Sequence, residues 1–201
     1  MTTTDAGTYR VLPGPPDEEG FVLLEQWSEE PVTVQSEGDD DPLASAVESL
    51  QPGHLVDATV EWPPEGTPAI ADLAVRTETV CTFVGDADHV FEKAEETFTE
   101  ARRDRAPIAS TVTYNTDGEA NGALYTIAKQ GGGTDIFAQF RDGRRTLEPM
   151  IDKLGEGGAE PPYEVFVVRP ADEQFVFVYL AIEKGGLLAN TIREEYDLAP
   201  L

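Results

Sequence analysis

Through the first eighty positions apolar and polar residues alternate with a period of two, the pattern of strands half-buried in a sheet. "TYRVLP" at 8–13 and "GFVLLEQW" at 20–27 flank the turn-rich "GPPDEE", and "PVTVQS" at 31–36 reads as a third short strand. After "EGDDD", a solvated loop, the period changes. Leu43, Ala46, Val47 and Leu50 share one face of a short helix over 42–50, with Pro42 in its first turn and "PG" at 52–53 as its stop. In "GHLVDATVEW", Ala58, Val60 and Trp62 alternate with Asp57, Thr59 and Glu61. "PPEGTP" turns the chain, and Ala69, Ala71, Leu73 and Val75 then share one face of a further strand. "TVCTFV" at 79–84 is a candidate extension of this first sheet.

The predicted order is three strands, a short helix and two strands, which is the order of a five-stranded OB barrel. The "PGHLVDATV" opening of the fourth strand resembles the Gly-x-x-Val-x-Ala-x-Val start of OB-type barrels. The resemblance covers roughly residues 8–84 and implies a nucleic-acid-binding or protein-docking barrel. A different small barrel, or a sheet packed on the next domain, gives the same order.

From residue 88 the period becomes helical. Val90, Phe91, Ala94, Phe98 and Ala101 recur over 88–105, with Asp86 or Asp88 as a candidate cap and "ARRDR" in the last turn. "IASTVTYN" (108–115) alternates cleanly, and "ALYTIAK" (123–129) and "TDIFAQFR" (134–141) read as strands joined by "QGGG". Leu147, Met150, Ile151 and Leu154 give a short helix that carries Pro149 in its first turn. "YEVFVVR" (163–169) and "QFVFVYLAIE" (174–183) are strands, the second apolar on both faces and therefore central. Leu188, Ile192 and Tyr196 stripe a closing helix. The predicted fold class is α+β: an N-terminal OB-like five-stranded β-barrel (1–85), a connecting helix (86–107), and a C-terminal α+β layer (108–201) of about five strands with helices on one face.

Charge alters this picture. Asp and Glu number 39 against 14 Lys and Arg, a net charge of −25, and only four of the fourteen are Lys. Apart from "DDD" at 39–41 the acids are dispersed rather than blocked, which favours a halophilic surface over an acidic tail. In molar salt the Debye length falls to about 3 Å and the self-repulsion is screened. Dispersed acids, scarce Lys and two strand-rich modules resemble the uncharacterised acidic two-module proteins of haloarchaea. That resemblance implies high intracellular salt and carries over no activity and no site residue. Cys81 is the one cysteine, so no internal disulfide and no Cys-based zinc site can form, and "TVCTFV" reads as a core setting for it. No apolar run approaches the ~18 residues of a membrane span. The N-terminus lacks a signal-peptide pattern. The expected location is the cytoplasm, with no membrane partner.

Catalytic signatures are scarce. None of the five serines stands on a nucleophile elbow. Asp86, Asp88 and His89 crowd one turn and could hold a cation, but a capped helix start with a surface His explains them more simply, and no metal or cofactor is expected. "KQGGG" (129–133) lacks the strand–loop–helix setting and trailing Lys of a phosphate loop, and reads as a hairpin tip.

The informative feature is where the cations sit. Residues 1–100 carry a net −20 and residues 154–201 a net −6, whereas residues 101–153 carry a net +1. That stretch holds Arg102, Arg103, Arg105, Lys129, Arg141, Arg144, Arg145 and Lys153. One explanation is structural, with helix C-termini and ion pairs to Asp104, Asp142 and Glu148. The other is a phosphate-binding surface for RNA or a ribonucleoprotein, since Arg suits bidentate phosphate contact and stacking on bases. As a meander, 108–141 would bring Arg102, Arg103 and Arg105 towards Lys129 and leave Arg141, Arg144 and Arg145 about 20 Å away. The barrel's Tyr9, Phe21, Trp27 and Trp62 could stack bases, although core packing explains them more simply. The expectation is a non-enzymatic binding protein, RNA-associated through these arginines. The alternative is a protein–protein adaptor using the barrel, with no nucleic-acid role.

Overall fold

The computed structural model describes residues 3–15, 20–34, 42–132 and 135–201. The loop around "PDEE", the acidic run 39–41, Gly133 and the expected strand positions 35–36 and 134 lie outside them. The chain divides into two compact units, Met1–Cys81 with Gln139–Pro149, and Thr82–Ala138 with Met150–Leu201. Among the described residues no helix is long and apolar enough to cross a membrane. The class is mixed α+β, with two five-stranded sheets and five helices among the described residues.

In the first unit, β1 (Thr3–Pro13), β2 (Phe21–Glu25), β3 (Pro31–Val34), β4 (Leu55–Trp62) and β5 (Ala69–Thr77) form an antiparallel sheet ordered β3-β2-β1-β4-β5. Alternation places Val11, Leu23, Val56, Ala58 and Val60 on one face, where Val47 and Leu50 of α1 (Pro42–Glu48) and the residues after it join them. β1 is buried on both faces at Tyr9 to Leu12. The reason is residues 139–149: a side chain at Gly143 would touch Leu12, Val22 and Pro31, so this segment lies against the reverse face. Fully burying each apolar side chain there contributes roughly 1.5–3 kcal/mol. Gly53 has φ +103°, and a Cβ there would run into the backbone of Thr79, Val80 and Cys81. Only glycine fits where the chain crosses so closely, with Cys81 N–H donating to Pro52 O at 2.7 Å and Gly53 N–H to Val11 O at 2.7 Å.

In the second unit, β6 (Val80–Ala87), β7 (Ile108–Tyr114), β8 (Ala120–Ala128), β9 (Glu164–Pro170) and β10 (Phe175–Ala181) form a sheet ordered β6-β9-β10-β8-β7. Every residue of β10 is buried, as its two-faced apolar pattern predicts. One face packs Phe166, Val168, Phe175 and Phe177 against Ala94 and Phe98 of α2 (Glu92–Asp104) and Ala189 and Ile192 of α5 (Leu187–Glu195). Phe98 stacks on Phe175 at 4.3 Å between centroids, and Phe91 meets Phe177, Tyr179 and Tyr196 edge-on.

Four expectations are corrected. Residues 134–141 do not form a strand: Ile136–Arg141 is helix α3, and Glu148–Glu156 is α4. The buried trio Ile136, Phe137 and Phe140 has helical spacing, and the Asp135 carboxylate accepts Ala138 N–H at 3.1 Å as a cap. The fifth strand of this sheet is instead β6, whose first residues the alternation assigns to an extension of the first sheet. Helices cover both faces rather than one: Phe137 of α3 meets Phe83 on the side opposite α2 and α5, and Leu154 of α4 faces Tyr125 there. Neither Asp86 nor Asp88 caps α2, because its N-cap position is Phe91, without a side-chain bond. Asp86 accepts from Arg169 instead.

Candidate functional site

Arg102 and Arg103 occupy the last turn of α2, where cations meet the negative end of the helix dipole. Arg105 ends the helix in the left-handed region at φ 55°, a place normally taken by glycine. Its N–H donates to Arg102 O, and Ala106 N–H donates back to Ala101 O at 2.9 Å, closing the carbonyls of the last turn. All three arginines are exposed, and none makes an ion pair among the described residues. Arg102 lies 6.0 Å from the Phe98 ring centroid, which braces its stem.

The other candidates are engaged. Ala128 N–H donates to Pro107 O at 2.9 Å, so Lys129 does sit beside the chain that follows Arg105, as the hairpin β7–β8 predicts. Its ammonium donates to Glu173 O at 2.6 Å and Pro170 O at 3.4 Å, a clamp on the β9–β10 turn. The glycine run after it joins a strand to a helix, not two strands. It still does not make a phosphate loop, since its lysine precedes the glycines and is held by carbonyls. Arg141 and Arg144 both pair with Asp142, at 3.6 and 3.0 Å. Arg145 lies over the Phe140 ring at 5.7 Å. These three belong to the first unit, and Arg102, Arg103, Arg105 and Lys129 to the second.

Among the aromatics of the first unit, Tyr9 is buried and Phe21 half-buried, but Trp27 is 60% and Trp62 38% exposed. Trp27 also has φ 70°, an outlier for a bulky residue. Core packing therefore does not account for either tryptophan.

Three features lay beyond the pattern of the sequence. Arg10, buried on β1, donates from Nε and Nη2 to the two oxygens of Glu148 at 2.7 and 2.9 Å, and from Nη1 to Gly53 O at 2.8 Å. This fixes residues 139–149 to the first sheet. Arg169 bridges Asp86 and Asp135 and lies 4.8 Å from the Phe137 ring centroid. The third is an apolar cleft beside β7 and β8.

Candidate reactive groups are quiet. Burial first, with the opposing Arg10 and Glu148 charges nearby, pushes the Cys81 thiol up to about 12, so no thiolate is available. His54 is buried and accepts Gln51 N–H at Nδ1, at 3.4 Å. Among the described residues no cluster of His, Cys, Asp and Glu could hold a metal ion. No curated protein matches the sequence. A family of unknown function (DUF6663) matches residues 1–201, and the chain belongs to that family.

Proposed function

We propose that this chain is a non-enzymatic, cytoplasmic, RNA-associated binding protein of halophilic type, holding the phosphate backbone with Arg102, Arg103 and Arg105. The observation that carries this reading is their freedom: three exposed guanidinium groups within four residues, without a carboxylate partner among the described residues, on a chain of net charge −25. Arg141 and Arg144, each tied to Asp142, drop to a supporting role, and Lys129 is a structural clamp. In molar salt long-range attraction is screened, so contact geometry decides, and Arg supplies bidentate bonds and stacking. The first unit is read as an OB-like barrel. Its β3-β2-β1-β4-β5 order supports this, being the pairing of such a barrel with β3 and β5 left to close it.

The test is fluorescence anisotropy of a short unstructured RNA in molar KCl. Arg102→Glu and Arg103→Glu should each weaken binding about tenfold, the size of one charge-assisted bond. Arg144→Glu should leave it nearly unchanged. Unchanged affinity in both α2 variants would overturn the assignment.

The two exposed tryptophans favour a second reading, an adaptor that docks a protein through the first unit, because a strained, solvent-facing Trp27 costs stability unless something uses it. Trp27→Ser and Trp62→Ser that preserve RNA affinity but dissolve a nuclease-resistant complex would select the adaptor. Loss of RNA affinity in the same variants would place base stacking there instead.

A further inference from the structure

The edge strand β7 alternates so that Ile108, Ser110, Val112 and Tyr114 face the side of the second sheet opposite α2 and α5. Across the ladder, Ser110 pairs with Tyr125 and Val112 with Ala123. Towards the sheet centre that face is sealed, with Val165, Val167, Val176 and Val178 fully covered. At the β7 margin it is open: Val112 is 49% exposed. The far wall is the end of α4, at Lys153 and Leu154, followed by Gly157 and Gly158. Between them lies a cleft of about 520 Å³, within the range of small-molecule sites.

Its polar groups are few. Tyr125 is 93% buried by its 7% exposure, lines the cleft, and makes no hydrogen bond through its hydroxyl among the described residues. The hydroxyl oxygen is not itself buried, since among the described residues Thr126 Oγ1 is the buried side-chain oxygen without a partner; the Tyr125 oxygen opens to the cleft and is free to take a ligand atom. Ser110 stands beside it on the ladder. Lys153 is exposed at the rim and makes no ion pair among the described residues, although acids outnumber cations 39 to 14 in this chain. The lining is otherwise apolar, from Val112, Leu154 and Ile182.

We propose that this cleft binds a small monoanionic amphiphile, its apolar body against Val112, Leu154 and Ile182, a polar atom on the Tyr125 hydroxyl and its anionic head on Lys153. The occupant is anionic because the cation in the lining is the one charge there and lacks a partner. It is small because the cleft is closed towards the sheet centre. Gly158, at φ +90° with nothing within 4 Å of a would-be Cβ, leaves the α4 wall without a side chain over the opening. The site lies on the face opposite α2, so it is independent of the arginines proposed for RNA.

The probe is anilinonaphthalene sulfonate, a flat apolar body with one anionic group, titrated by fluorescence into the full chain in molar KCl, with near-ultraviolet circular dichroism recorded alongside. The expected result is saturable binding at one site with native dichroism retained. Tyr125→Phe, which removes one oxygen and no packing, should weaken it about tenfold, and Lys153→Glu by a similar factor. Phenylnaphthylamine, the uncharged analogue, should bind and be indifferent to Lys153→Glu. Absence of saturable binding, or binding unchanged in both variants, would overturn the proposal. So would binding that appears only as the native dichroism is lost. A dimer in sedimentation that Val112→Asp splits, with no probe bound, would give the face to a second copy and overturn it equally. None of these outcomes depends on RNA affinity, which is read separately.

Discussion

Removing one partner of the Arg10–Glu148 pair should destabilise the first unit severely. The side chains are 5% and 2% exposed, and two nearly parallel bonds of 2.7 and 2.9 Å join them. Gly53 O and Gln26 Nε2 complete the shell, the latter donating to Glu148 at 3.3 Å. Glu148→Leu leaves a guanidinium buried with one carbonyl as its acceptor, and Arg10→Met leaves a buried carboxylate with one amide. Each should cost about 3–5 kcal/mol, the penalty of an uncompensated buried charge. That is a large part of a typical 5–15 kcal/mol stability. The double variant leaves no orphan charge, so it should cost no more than either single one. Both tryptophans, Trp27 and Trp62, lie in the first unit, so their fluorescence during urea unfolding in molar KCl reports on that unit alone. Urea is uncharged and leaves the electrostatics in place. A single-variant cost under about 1 kcal/mol, or additive losses in the double variant, would refute the reasoning, because either shows charges already compensated by water.

Three further outcomes follow from burial. Thr126 Oγ1 is buried without a hydrogen-bond partner, so Thr126→Val, close in shape and suited to a strand, should stabilise the second unit by about 1–2 kcal/mol in thermal unfolding. Cys81, its thiol held up to about 12 chiefly by burial, should resist iodoacetamide at neutral pH and react at the rate of unfolding; fast alkylation of the native chain would contradict its placement. Burial raises the hydroxyl pKa of Tyr179 and Tyr196. Their neutral forms are therefore favoured in the fold, so this stability is complete below the unfolded value of about 10 and is lost as pH rises above it. Ultraviolet titration of tyrosinate should show delayed ionisation coincident with unfolding.

Much of the architecture was legible because burial on one face imposes alternation. Ala58 and Val60 of β4 are buried as the pattern of the fourth strand predicts, whereas Trp62, predicted on the same face, is exposed at the end of the strand, and β10, apolar on both faces, is central. What alternation cannot encode is partnership between distant segments. The register of β6 says that it is a strand, not which sheet receives it. In 134–141 the apolar positions are too few to separate period two from period 3.6, and the Asp135 cap was the missed signal. Arg10 offered another: a charge inside the doubly buried run Tyr9 to Leu12 requires a partner, although nothing local could name Glu148, 138 residues away. The arginine stretch was visible as a break in charge, but pairing with Asp142 and the carbonyl bonds of Lys129 are properties of the folded chain. Nor could residue type alone distinguish an exposed Trp27 from a core tryptophan.

The salt dependence of RNA affinity tests the central claim most directly. Each phosphate neutralised on a single strand contributes about −0.7 to the slope of log K against log salt, so three arginine contacts give a slope near −2. Replacing Arg102, Arg103 and Arg105 together by Gln should flatten the line towards zero while urea midpoints stay unchanged. The same slope in wild type and triple variant would contradict the account.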